Sequence, residues 1–153
     1  MNKFKIIQLT NSNIGSVPSN SYMPLGIITR RINPKCQCQC QCNDDRTFTV
    51  SSTDTNLVTI NECGYYKVLY SASVVATTAG IVTLSLQLNS STVYSVSATA
   101  AEGDTVNLTL PFEIRVLPNC QSVTNNIPLN IQVLSSGVAL TDGNANFIVE
   151  RNY

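Results

Sequence analysis

Four cysteines alternate with glutamine in the run Cys36-Gln37-Cys38-Gln39-Cys40-Gln41-Cys42. Thiols can form disulfides, bind soft metals as thiolates or act as redox nucleophiles, and their spacing narrows the choice. In a strand, a two-residue period puts all four thiols on one face and the carboxamides on the other; a helix would scatter them. Sequence-local zinc sites use gaps of two to four intervening residues instead. Thiols two apart on one strand lie about 6.6 Å apart, near the upper limit for a disulfide. Bonds would therefore join different strands or chains. Cys36, Cys38, Cys40 and Cys42 are accordingly candidates for a disulfide or inter-subunit seam. The alternative is a stripe of small apolar side chains that pack without bonding.

The remaining chemistry is sparse. There is no histidine, which removes Ser/His/Asp and Cys/His nucleophiles, histidine bases and histidine metal sites. No phosphate loop or dinucleotide fingerprint is present. Asp44-Asp45 is the only adjacent carboxylate pair, and neighbours in a strand point to opposite faces. The expectation is a protein that is not an enzyme and uses no cofactor. Cys63 and Cys120 fall at strand edges or loops and could pair if those loops share one end of the fold. Tyr65, Tyr66, Tyr70 and Tyr94 form either a core or interface cluster or a ligand platform.

Charge is scarce, at 12% of 153 residues, and unevenly placed. Residues 1–46 hold six basic groups (Lys3, Lys5, Arg30, Arg31, Lys35, Arg46) and two acidic ones, for a net +4. Residues 47–153 hold three basic and seven acidic groups, for a net −4. A basic N-terminal segment that meets an acidic surface of a larger assembly follows, with Lys3, Lys5, Arg30 and Arg31 as docking residues. Arg30-Arg31 is only a doublet, so nucleic acid is not the expected partner. The N-terminal apolar run is too short for a signal peptide, and no segment approaches the roughly 20 apolar residues of a membrane span. Synthesis in a cytoplasm and no membrane partner are expected.

The elements that must position these residues are strands. Alternating or β-branched segments occur at Arg46–Ser51, Leu57–Ile60, Tyr65–Ala76, Ile81–Leu88, Thr92–Ala98, Val106–Leu117, Ile127–Leu134 and Ala145–Arg151. Turn residues separate them, among them Glu102-Gly103-Asp104, Asn125-Asn126 and Asp142-Gly143-Asn144. Helix signals are nearly absent. The expected fold is all-β, an antiparallel β-sandwich or jelly roll over residues 46–153. Residues 1–45, with short strands at Lys5–Thr10 and Leu25–Arg31, read as an extended attachment arm or a small strand subdomain.

Three stretches of the globular part resemble the C1q/TNF-like trimeric jelly-roll superfamily. Asn61-Glu62-Cys63-Gly64-Tyr65-Tyr66-Lys67-Val68 is similar to the family's entry into a long central strand. Gly80–Asn89 is similar to the strand that follows, and Ser136-Gly137-Val138 through Asn146-Phe147-Ile148-Val149-Glu150-Arg151 to the closing strand. The resemblance implies a homotrimer, with Tyr65, Tyr66 and Tyr70 at its interface. It is nearest in character to phage head-fibre and capsid decoration proteins and to the heads of spore-surface collagen-like proteins. No Gly-X-Y repeat is present, so the spore-type stem is missing. The implied function is a structural virion protein that decorates a capsid or forms a head fibre, bound to a capsid protein through its N-terminal arm. The alternative is a receptor- or glycan-binding module of a bacterial or spore surface, with a host-surface glycan as partner. In a trimer, each layer of the cysteine run would offer three thiols. An odd number leaves one unpaired or makes a soft-metal site for zinc, copper(I) or iron.

Overall fold

The computed structural model describes residues 5–32, 47–50, 56–116 and 128–152. Within them lie eleven strands: β1 (Lys5–Asn11), β2 (Ser21–Tyr22), β3 (Ile27–Ile32), β4 (Phe48–Val50), β5 (Val58–Ile60), β6 (Gly64–Ala76), β7 (Gly80–Leu88), β8 (Ser91–Ala100), β9 (Thr105–Val116), β10 (Leu129–Gly137) and β11 (Leu140–Asn152). All pairings are antiparallel. Sheet A runs β3-β1-β11-β6-β9, and sheet B runs β4-β5-β10-β7-β8 with β2 paired to β10. All eight strands expected after residue 45 are present, because strict alternation leaves each only one way to bury its apolar side.

β6 shows the rule. Tyr66, Val68, Tyr70, Ala72, Val74 and Ala76 point inward, while Tyr65, Lys67, Leu69, Ser71, Ser73 and Val75 point outward. Ile7, Leu9, Phe147 and Val149 of sheet A join them against Val58, Leu84, Leu86, Ile131 and Val133 of sheet B. Each such side chain contributes about 1.5–3 kcal/mol on burial. Ring pairs fill the wider gaps: Phe48 meets Tyr66 edge-on at 5.9 Å between centroids, and Tyr70 meets Phe147 at 6.1 Å.

Two sequence expectations change here. Residues 5–32 are not an arm outside the sandwich. β1 pairs with β11 from Lys5↔Arg151 to Asn11↔Ala145, and β3 pairs with β1. Ile7 and Leu9 are fully buried, so the sheet takes in β1 to complete its core. Residues 33–46, with the cysteine run, lie outside the described residues. Asp142-Gly143-Asn144 is a bulge inside β11 rather than a turn. The β11–β6 register slips between Thr141 and Gly143, and Asp142 and Gly143 have φ of 45° and 131°. A Cβ at Gly143 would collide with the Ser73 carbonyl oxygen, so glycine is required there.

One polar cluster closes an end of the sandwich. Lys5 shares the inward parity of Ile7 and Leu9 and is only 3% exposed. Its register partner is Arg151, a like charge that alone would be repulsive. Glu62 resolves the conflict. Its Oε2 accepts from Lys5 Nζ at 3.2 Å, Arg151 Nη1 at 2.5 Å and Thr47 Oγ1 at 2.9 Å. Lys5 also donates to Thr47 Oγ1, Arg151 Nη2 donates to the Cys63 carbonyl at 2.8 Å, and the Tyr66 hydroxyl donates to the Glu62 carbonyl at 2.7 Å. Partial burial pushes the Glu62 carboxyl up. The hydrogen bonds from Thr47 and Lys5 and the charges of Lys5 and Arg151 outweigh it, leaving the group below its ordinary 4.5.

Two predictions follow from the core and its clasp. Glu62→Gln should cost about 2 kcal/mol at neutral pH by urea unfolding, because it removes the carboxylate charge that both Lys5 and Arg151 face. The folded pKa of Glu62 lies below the unfolded one, so this stabilisation is complete above pH 4.5 and is lost as pH falls through the folded value. The difference between wild type and Glu62→Gln should shrink accordingly in acid; a constant difference would contradict it. The Tyr70 hydroxyl is buried without a hydrogen-bond partner among the described residues, and burial pushes its phenol well up. Tyr70→Phe should therefore leave stability unchanged or raise it by up to about 1 kcal/mol.

Candidate assembly interface

The two sheets present different outer faces. On sheet B the polar side chains bond to one another. Thr83 meets Ser97 at 2.7 Å, Ser85 meets Ser95 at 2.8 Å, Gln87 donates to Thr92 at 3.3 Å and Tyr22 donates to Gln87 at 3.0 Å. These cross-strand pairs hold much of the face's polar surface within the protomer, and Ile81 stands 57% exposed beside them.

Sheet A is organised in rows across its strands, fixed by register. One row is Gln8, Ile148, Leu69 and Pro111; the next is Ile6, Glu150, Lys67 and Glu113. Asn152, Tyr65 and Arg115 lie beyond them. Toward the other end come Thr10, Asn146, Ser71 and Thr109, then Asn144, Ser73 and Asn107. Small side chains at Ser71 and Ser73 leave a concavity of about 680 Å³ with no charged residue in its lining. Gln8 donates to Asn146 at 2.9 Å, whereas Ser71, Ser73, Asn107, Thr109 and Asn144 make no side-chain hydrogen bond among the described residues. Tyr65 is 59% exposed and Leu69 39%. A face with exposed apolar groups and unspent polar ones is suited to bind another surface.

Parity separates the residues expected at an interface. Tyr65 stands on this outer face, with the Arg115 guanidinium 5.5 Å from its ring centroid. Tyr66 and Tyr70 are corrected: both are buried in the protomer core, because they sit on the opposite side of β6 from Tyr65. Tyr94 is on β8 and packs with Phe112 at 6.2 Å, where the two sheets meet at one edge. Lys5 is also corrected from docking residue to buried partner of Glu62. Arg30 and Arg31 are exposed on β3, an edge strand of sheet A. Lys3, Cys36, Cys38, Cys40, Cys42 and Cys120 lie outside the described residues. Cys63 is exposed in the turn before β6. Among the described residues, no three Cys, Asp or Glu side chains come together as metal ligands. Leu69, Lys67, Glu113 and Glu150 were not singled out from the sequence; their outward parity relative to Tyr66, Val68, Ile114 and Val149 was the available signal.

No family model matches the chain, and no curated protein does. Solved structures do. The globular domain of zebrafish complement 1qA protein aligns with a TM-score of 0.63 at 11% identity, covering 95% of this chain and 94% of that one. Eiger TNF from S. frugiperda aligns at 0.67 and 8% identity, covering 99% and 92%. PRD1 vertex protein P5 aligns at 0.53 and 17% identity, covering 97% of each chain. With the described residues forming antiparallel strands in two facing sheets, and these likenesses spanning nearly the whole chain, the protein has the C1q/TNF-like jelly-roll fold.

Proposed function

We propose that the chain is a structural protein that acts by association: a homotrimer built through the outer face of sheet A and displayed on a virion surface, as capsid decoration or a head fibre. The observation that carries this reading is the contrast between the two outer faces. Sheet B bonds Thr83 to Ser97 and Ser85 to Ser95, while sheet A leaves Tyr65, Leu69 and a neutral polar concavity for a partner. The likeness to a phage vertex protein supports the virion setting. Arg30 and Arg31, exposed on the β3 edge, remain the capsid-docking candidates. With no histidine in the chain, the reading assigns no catalysis.

The cysteine run is proposed to link the chains of the trimer. Light scattering of the purified chain at micromolar concentration should give three times the 16.6 kDa chain mass. A monomer would sink the proposal. Denaturing gels without reductant should retain a multi-chain band that depends on Cys36, Cys38, Cys40 and Cys42. Co-sedimentation with purified virions, lost in Arg30→Glu/Arg31→Glu, tests the setting; glycan-array binding without virion association would favour the surface-lectin reading instead.

A further inference from the structure

One stretch of the sheet A face carries charges that form no ion pair among the described residues. Register lines up Glu150 of β11, Lys67 of β6 and Glu113 of β9 side by side. Arg115 stands two residues further along β9 on the same face. Lys67, Glu113 and Arg115 are exposed and Glu150 is half-buried. Lys67 has a carboxylate residue on either side, yet none of these four groups makes an ion pair among the described residues. The patch holds two charges of each sign and is neutral overall. Apolar side chains flank it, with Leu69 and Ile148 in the next row and Tyr65 on the other side.

A patch of this composition is poorly matched to a polyanion or to any partner of uniform charge, which half of its groups would repel. Its complement is a surface with the same alternation, and the chain itself supplies one. A threefold axis that runs along the strands maps each level of one protomer onto the same level of the next. Lys67, Glu113 and Glu150 share a level, so opposite charges meet without sliding the strands.

We propose that this row is a charge lock between copies of the chain, in which Lys67 of one protomer pairs with Glu113 of the next. The proposal rests on the homotrimer reading above and adds its register. A slip of two residues along β9 would bring Lys67 against Arg115, a like charge, so the row rejects the wrong alignment as well as favouring the right one.

The test uses the full chain in a dilution series followed by light scattering or sedimentation at moderate ionic strength. Lys67→Glu and Glu113→Lys should each weaken trimer association by about tenfold or more. The double variant Lys67→Glu/Glu113→Lys should recover most of it. Mixing the two single variants should recover part, because every contact between unlike variants is again complementary. A cross-strand pair acting only within one protomer cannot be restored by mixing, and its loss would appear in unfolding rather than in association. Both positions are exposed, and circular dichroism should show that each variant keeps the wild-type fold. A wild-type trimer whose association is unchanged in the single variants, or not restored in the double variant, overturns the lock and leaves the trimer standing. A monomeric wild type overturns both.

Discussion

β11 has hydrogen-bonding partners along both of its edges, and sheet A exists as one surface because residues 5–11 return to fill one of them. The closure joins β1 to β11. Gln8 and Asn146 bond across a separation of 138 residues. Bringing such distant segments together is costly in chain entropy, and it must be offset by the burial of Ile7, Leu9, Phe147 and Val149. The Glu62 clasp belongs to the same closure. It holds the first residue of β1 beside the last turn of β11, where two cations would otherwise stand opposite each other.

With β1 in place, sheet A is five strands wide and its outer face becomes a continuous platform. The two outer faces differ where Thr83, Ser85, Ser95 and Ser97 bond to one another on sheet B and Ser71, Ser73 and Thr109 make no such bonds on sheet A among the described residues. Hydroxyls that already bond to one another gain little from a partner surface, whereas unbonded ones can exchange water for new contacts. Exposed Tyr65 and Leu69 add apolar area to that exchange. In the proposed trimer the same platform would do three things at once. It would bury apolar area at Leu69, set alignment through the charged row, and enclose neutral polar groups at the other end.

Much of the fold was legible along the chain, because an antiparallel strand with one buried face writes a period of two directly into the sequence. Val82, Leu84, Leu86 and Leu88 are buried as their spacing implied. The same period could have sorted Tyr65 from Tyr66 and Tyr70, since odd and even residues of one strand cannot share a face. Asp142-Gly143 read as a turn because turns and bulges both use positive φ, and only the pairing on either side distinguishes them. Lys5 read as a free basic group because its neutralising carboxylate is 57 residues away.

By itself, the sequence determined the all-β class, the position of the strands after residue 45, the absence of histidine chemistry and which side chains of a strand travel together. Those properties depend on local alternation and residue type, which neighbours along the chain suffice to express. The tertiary structure alone decided that β1 lies inside sheet A, that Lys5 and Arg151 converge on Glu62, and that Glu150, Lys67 and Glu113 stand at one level. Each of these depends on register between strands far apart in sequence, and register is set only when the whole core is packed.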